Sequence, residues 1–73
     1  MKLSDLSPGQ SGCVIYMPES LQMRLEKMGF VEGGDIRCLF RAPLGDPTAY
    51  LVKGVAVALR KKDAENIEVK LWD

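Results

Sequence analysis

The sequence contains no histidine and only two cysteines, and both shortages exclude kinds of chemistry. Histidine is the usual acid–base group near neutral pH, so the commonest general base is missing. Cys13 and Cys38 stand alone, and two thiols without a histidine cannot supply a closed tetrahedral metal site. We therefore predict no catalytic residue, no metal ligand and no cofactor. We interpret the two cysteines as small buried side chains, with an iron-responsive role of the thiols as the alternative.

An excess of one charge sign is also missing. Ten basic side chains balance ten acidic ones among the 73 residues. Nucleic-acid binders and binders of anionic membranes normally carry a basic surplus, so the balance argues against both. No apolar run approaches the ~20 residues that cross a bilayer, and no signal peptide is recognisable at the N-terminus. We expect one small cytoplasmic domain spanning residues 1–73.

Short apolar runs separated by turn residues predict a mainly β domain. The predicted strands span residues 12–17, 35–42, 48–53, 55–60 and 67–71. Alternation in the second strand assigns Ile36, Cys38 and Phe40 to the core, and a short lead-in lays Leu3 and Leu6 against it. Five strands in so small a chain favour a closed SH3-like barrel, because closure protects the sheet edges. An OB-type barrel is the main alternative.

One α-helix is predicted between the first two strands. Pro18 suits its first turn, and Leu21, Leu25 and Met28 recur at i, i+4 and i+7 as one apolar stripe. Gly29 fits the position after the helix, where a left-handed residue ends it. The pattern predicts about three turns. A short helical turn is predicted over residues 61–66, before the last strand, and the small side chains at positions 56 and 58 leave room for a bulkier neighbour to pack there.

The run from Arg41 to Pro47 is the most distinctive part of the sequence. Its two prolines lack backbone donors and Gly45 takes a positive φ at little cost, so the run forms an ordered loop between two strands. Leu44 lies at the tip, where it either folds back to plug the barrel or stands exposed as an anchor for a partner. Asp46 either accepts N–H bonds inside its own loop or meets a cation on a partner.

These residues resemble the ferrous-iron transport protein A (FeoA) family over nearly the whole chain. The matching pieces are Leu6–Gly9, Arg24–Gly29 running on to Gly33, Arg41–Pro47, and Leu59–Lys61 followed by Ala64, Ile67 and Val69. The resemblance implies an SH3-like fold without enzymatic activity. It further implies an accessory protein of bacterial ferrous iron uptake that binds and modulates FeoB, a membrane transporter with a cytosolic GTPase domain. Such a protein would be recruited peripherally to the inner face of the membrane.

We predict a partner-binding surface that combines the helix with the loop. Leu44 would be its anchor and Met23 an adaptable second contact, although a merely peripheral packing role for Met23 also stays open. The predicted residues are Met23, Arg24, Leu25, Lys27, Pro43, Leu44, Gly45 and Asp46. Leu25 is expected to act from the core beneath the helix. A separate hypothesis makes Arg24, Arg41 or Arg60 an arginine finger toward the GTPase.

Two other functions stay open. A nucleic-acid-binding small barrel would stack bases on Tyr16, Phe40 and Tyr50, but the charge balance and the burial expected for Phe40 argue against it. A regulatory domain that binds a transition metal would work through the thiols. Self-association is left open as well.

Overall fold

Five strands form one antiparallel sheet in the computed structural model, which describes residues 1–72. The elements in chain order are a 3-10 turn (Leu3–Asp5), β1 (Ser11–Tyr16), α1 (Glu19–Glu26), β2 (Asp35–Arg41), β3 (Thr48–Val52), β4 (Val55–Leu59), α2 (Lys61–Ala64) and β5 (Glu68–Leu71). The sheet order is β4-β3-β2-β1-β5. The prediction of a mainly β domain with these two helices is confirmed. None of the helices within the described residues is long and apolar enough to cross a membrane.

The core draws on every helix and strand of the chain. Leu3 and Leu6 are completely buried, as predicted for the lead-in. The core cluster consists of Leu3, Leu6, Val14, Met17, Leu21, Leu25, Phe30, Ile36, Cys38, Tyr50, Val52, Val57, Leu59, Ala64, Ile67 and Val69. A domain of this size depends on such a cluster, because little other apolar surface is available to bury.

A β-bulge in β2 overturns one core assignment. Cys38 pairs with Tyr50, but Phe40 pairs with Ala49, so two steps along β2 match one step along β3. The extra residue shifts the alternation of faces, as bulges do. Phe40 is consequently 62% exposed. Its predicted place in the core was wrong, whereas those of Ile36 and Cys38 are confirmed.

The helix α1 is shorter than predicted because its last turn closes early. The N–H of Phe30 donates to the carbonyl of Leu25 at 3.0 Å, and the N–H of Gly29 donates to that of Glu26 at 3.0 Å. With Gly29 at φ 92°, these bonds form a Schellman motif. The chain turns back, and Phe30 joins the buried core cluster, whereas Met28 is exposed. The helical stop at Gly29 is thus confirmed, and the assignment of Met28 to the stripe was wrong.

The two outer edges of the sheet are not paired with each other in the described residues. β4 bonds only to β3, and β5 bonds to β1. The expectation that full closure removes the edges was wrong. Ala56 and Ala58 on β4 are exposed, and no bulkier element packs over them as their small size had suggested.

Leu25→Ala should destabilise the domain by about 2–5 kcal/mol, because it removes a completely buried side chain. Urea unfolding followed by circular dichroism measures the change. Met23→Ala, on the same helix but exposed, is the matched control and should change stability by less than about 0.5 kcal/mol. Equal losses in both variants would contradict the packing described.

Tyr50 is the largest fully buried side chain, and its hydroxyl donates to the carbonyl of Leu3 at 3.4 Å. Burial raises its pKa to about 12 from the usual value of 10, and the negative charge that Cys38 can carry acts in the same direction. The hydroxyl therefore stays protonated in the folded state at pH values where an unfolded tyrosine ionises.

This raised pKa predicts a loss of stability at high pH. Stability from Tyr50 is fully present below pH 10 and is lost as the pH rises toward about 12, because only the unfolded chain releases the proton in that window. The slope should approach about 1.4 kcal/mol per pH unit. Urea unfolding at pH 10 to 12 tests this, with Tyr50→Phe as the control that should reduce the slope by the contribution of Tyr50 and leave that of the buried Cys38. An identical slope in Tyr50→Phe would assign the effect to other groups.

Candidate partner-binding surface

The loop between β2 and β3 is ordered by its own hydrogen bonds. The N–H of Gly45 donates to the carbonyl of Ala42 at 2.7 Å, and the N–H of Ala42 donates to that of Pro47 at 2.9 Å. Gly45 has φ 88°, a conformation that favours glycine. The prediction of an ordered proline-bounded loop is confirmed, and the peptide bond between Asp46 and Pro47 is cis.

Leu44 stands at the tip of this loop with 97% of its surface exposed. A side chain so exposed does not plug the barrel, so that alternative was wrong. Exposed leucines are common when single, but this one is held on a loop with internal hydrogen bonds. Its role as an anchor for a partner is consistent with this position and stays a prediction.

Asp46 connects the loop to a distant helix. Its Oδ1 accepts the backbone N–H of Lys61, the first residue of α2, at 2.8 Å. That N–H has no partner inside the helix, so the carboxylate supplies the missing acceptor. The expectation that Asp46 bonds within its own loop was wrong. The aspartate fixes the loop against α2 instead.

The helix α2 is also bonded to α1. Nη2 of Arg24 donates to Oδ2 of Asp63 at 3.0 Å, and both side chains are partly exposed. An exposed ion pair contributes only about 0.2–1 kcal/mol to stability, so its significance here is geometric. α2 is therefore bonded to both the loop and α1.

We call the surface formed by the loop, α2 and the outer face of α1 the loop–helix surface. Its exposed members are Met23, Arg24, Lys27, Pro43, Leu44, Gly45, Asp46, Lys61 and Lys62. Leu25, included in the predicted set, is completely buried and contacts no partner directly. It supports the surface from beneath, as its expected core position implies.

The two most exposed large apolar side chains in residues 1–72 both belong to this surface. They are Leu44, at 97%, and Met23, at 77%. Phe40, the third, stands just before the loop, and sequence analysis missed it because a bulge cannot be recognised from alternation alone. Lys61 and Lys62 were missed too, because nothing in the sequence places α2 beside the loop.

The charges around these apolar side chains are of both signs, because Met23 is flanked on α1 by the exposed Glu19, Glu26 and Lys27. The carboxylates of Asp46 and Asp63 already bond to α2 and to Arg24, whereas Lys27 and Lys62 form no ion pair among the described residues. The surface thus offers two apolar contacts and a charged rim, an arrangement typical of a protein-binding patch.

Two of the three arginines considered as fingers are engaged within the chain. Arg41 donates to the carbonyls of Ser4 at 3.2 Å and Leu6 at 2.8 Å, and so holds the N-terminal lead-in. Arg24 bonds Asp63. Arg60 is exposed and has no side-chain hydrogen bond within residues 1–72. The arginine-finger hypothesis stays a prediction, and a finger from Arg24 would require breaking its ion pair.

The residues suggested for other functions do not come together. Tyr16 and Phe40 are exposed but Tyr50 is buried, so the three aromatics do not form one stacking platform. Because Phe40 is exposed, the burial expected for it does not argue against nucleic-acid binding. Residues 1–72 contain no group of three or more His, Cys, Asp or Glu side chains arranged to hold a metal ion. Burial raises the pKa of the Cys38 thiol, and the positive charge of Arg41 acts in the opposite direction but is the smaller effect. The raised pKa disfavours the thiolate form.

Sequence comparison decides the family. The model of the FeoA domain matches residues 1–71. The chain belongs to the FeoA family. A relative from Porphyromonas gingivalis, described as an Fe(2+) transport protein A/Fe(2+) transporter FeoB fusion protein, is 37% identical over 73 residues. The match covers 97% of this FeoA chain but only 9% of the fusion protein.

Solved FeoA structures share the fold. The FeoA protein from Chlorobium tepidum superposes with a TM-score of 0.93 at 33% identity, covering 100% of this chain and 71% of that one. A Stenotrophomonas maltophilia FeoA complexed with zinc, described as a prokaryotic SH3 domain protein, gives a TM-score of 0.78 at 29% identity. That match covers 96% of this chain and 89% of the other. The SH3-like fold expected from the sequence is confirmed.

Asp46→Ala should release the loop from α2. The variant leaves the N–H of Lys61 without an acceptor, so its amide should exchange with solvent about tenfold faster, and stability should fall by about 1 kcal/mol. Hydrogen exchange followed by NMR measures the first effect and urea unfolding the second. Asp46→Asn retains an acceptor oxygen and is the matched control. Unchanged exchange in Asp46→Ala would show that the loop is held by other contacts.

Proposed function

We propose that this FeoA protein is an accessory protein of ferrous iron uptake that binds the cytosolic part of FeoB through the loop–helix surface. The observation that carries the proposal is the position of Leu44 and Met23, the two most exposed large apolar side chains, on elements bonded to the same short helix. The protein acts by binding and has no catalytic activity of its own. It reaches the inner face of the membrane only through the transporter.

The fusion protein from Porphyromonas gingivalis supports the choice of partner. It carries FeoA and FeoB in one polypeptide, and this chain matches 9% of its length. Joining two modules makes their encounter intramolecular and raises the effective concentration of each for the other. Such a fusion gives an advantage when the two modules bind each other. For this chain we propose the same binding between two separate polypeptides.

The chemistry of the surface defines what the partner should offer. Burying a leucine side chain fully contributes about 1.5–3 kcal/mol, so Leu44 alone can supply a substantial part of a moderate affinity. The exposed Lys61 and Lys62 of α2, the helix to which this loop is bonded, favour acidic residues at that edge of the contact and increase the association rate. We therefore expect an apolar pocket bordered by acidic side chains on the cytosolic part of FeoB.

Leu44→Asp should weaken binding to the purified cytosolic domain of FeoB at least about tenfold, since a charge replaces the apolar anchor. Met23→Asp should do the same. Isothermal titration calorimetry measures the affinities, and thermal unfolding should show little change because both side chains are exposed.

Ile15→Asp is the control for this experiment. Ile15 is also an exposed apolar residue, but it lies on β1, outside the loop, α1 and α2. Loss of binding in Ile15→Asp with full binding in Leu44→Asp would reject the loop–helix surface. Modulation is measured separately as GTP hydrolysis by the same domain. A change within twofold on adding FeoA would rule out an arginine finger, whose removal or supply normally changes turnover by ~10³–10⁵.

A transition-metal-binding role is the second candidate. The Stenotrophomonas maltophilia relative, which was solved with zinc, favours it. The described residues of this chain offer only isolated thiols and carboxylates. Metal binding would then need ligands from a second molecule, whereas partner binding uses a surface that one molecule already presents.

A further inference from the structure

The outer edge of β4 carries backbone groups that bond to nothing in residues 1–72. The turn Lys53–Gly54 joins β3 to β4 with φ 50° and 79°, the values of a type I′ hairpin. Such a turn makes Val52 and Val55 a hydrogen-bonded pair, and the register then continues without interruption to Thr48 opposite Leu59. In this register the alternate residues of β4 direct their N–H and C=O groups away from β3.

Those outward groups belong to Ala56 and Ala58. Both residues are exposed, and neither the strand pairing nor the remaining backbone hydrogen bonds of the described residues use their outer groups. Their methyl side chains are the smallest that a chiral residue can present. An incoming strand can therefore approach the edge closely over two residues that are ready to bond.

Natural sheet edges usually carry a protective feature, and this one lacks the common kinds. Val55–Leu59 contains no charged residue, no proline and no bulge. Proteins normally place such features on an edge to prevent another strand from pairing with it. The unprotected centre of β4 is therefore suited to receive an extended chain, as in strand addition to a sheet edge.

The residues at both ends of the outer edge of β4 carry positive charge. Lys53 lies at one end of the edge, and Arg60, Lys61 and Lys62 lie at the other, all exposed. Neither of the ion pairs found in residues 1–72 involves any of them. The uncharged edge is thus bounded by positive charge at both ends.

A second copy of the chain fits this pattern poorly. Two-fold antiparallel pairing that places Ala56 opposite Ala58 of the copy would bring the basic residues at one end of β4 toward those at the other end of the copy, and like charges repel each other. The basic ends therefore oppose self-pairing and favour a segment of opposite charge.

We propose that β4 binds an extended segment of a partner protein, uncharged in its centre and acidic at both ends, which adds to the sheet as a sixth strand. Main-chain bonds to Ala56 and Ala58 supply the pairing, and the flanking cations select the acidic ends. The proposal does not depend on which surface FeoB occupies.

Two nine-residue peptides test the proposal on the full-length protein. Both share a central alternation of threonine and valine; one has two acidic residues at each end and the other two basic residues. NMR titration of the ¹⁵N-labelled protein should show the acidic-ended peptide binding at least about tenfold more tightly, with shift changes and slower exchange centred on the amides of Ala56 and Ala58. Higher salt should reduce the difference.

Two kinds of variant isolate the cause. Ala58→Pro removes an outward N–H while leaving the bonds to β3, and should weaken binding about tenfold; Ala58→Thr retains the N–H and is its control. The double variant Lys53→Glu with Arg60→Glu should reverse the preference toward the basic-ended peptide. It leaves the strand backbone unaltered, so it decides the question even where Ala58→Pro does not fold.

Several results would overturn the proposal. They are equal binding of both peptides, no binding of the acidic-ended peptide at millimolar concentration, and shift changes confined to the loop or to α1. A concentration-dependent dimer that perturbs Ala56 and Ala58 without peptide would also overturn it, because the occupant would then be a second copy.

Discussion

The hydrogen bond from the N–H of Lys61 to the carboxylate of Asp46 is the contact on which the candidate surface depends. At 2.8 Å it joins a loop tip to the start of α2 across 15 residues of chain. The ion pair between Arg24 and Asp63 then connects α2 to α1. With both contacts in place, the loop that carries Leu44 and the helix that carries Met23 are fixed to the same short helix. Without the first, the loop that carries Leu44 would keep its internal hydrogen bonds but lose its bond to α2.

Local rules allowed much of the fold to be predicted, and they failed where tertiary contacts override them. Gly29 was recognised as the helix stop because a left-handed residue at that position is a local requirement. Phe40 was misplaced because a single inserted residue reverses every face beyond it, and the bulge depends on pairing with β3. The acceptor role of Asp46 could not be predicted, since its partner lies on an element whose position the sequence does not reveal. The identities of the loop residues were accessible from sequence; their neighbours were not.

The basic residues around α2 serve both of the surfaces that we propose. Lys61 and Lys62 belong to the loop–helix surface and also follow the end of β4, because α2 comes next in the chain. A partner with an apolar pocket and an acidic border suits the first surface, and an extended acidic-ended segment suits the second. Exposed apolar side chains and an unprotected sheet edge both promote association with other molecules. A partner that covers these side chains and this edge explains why both are present in the domain.

Site-specific photo-crosslinking tests the central claim most directly. A benzophenone amino acid placed at position 44, 23 or 15 of FeoA would be irradiated in the presence of the intact FeoB transporter. The account predicts crosslinks from positions 44 and 23 to the same cytosolic region of FeoB, and none from position 15. Crosslinks from position 15 alone, or from 44 and 23 to regions far apart on the transporter, would contradict the view that the loop and the helix form one binding surface.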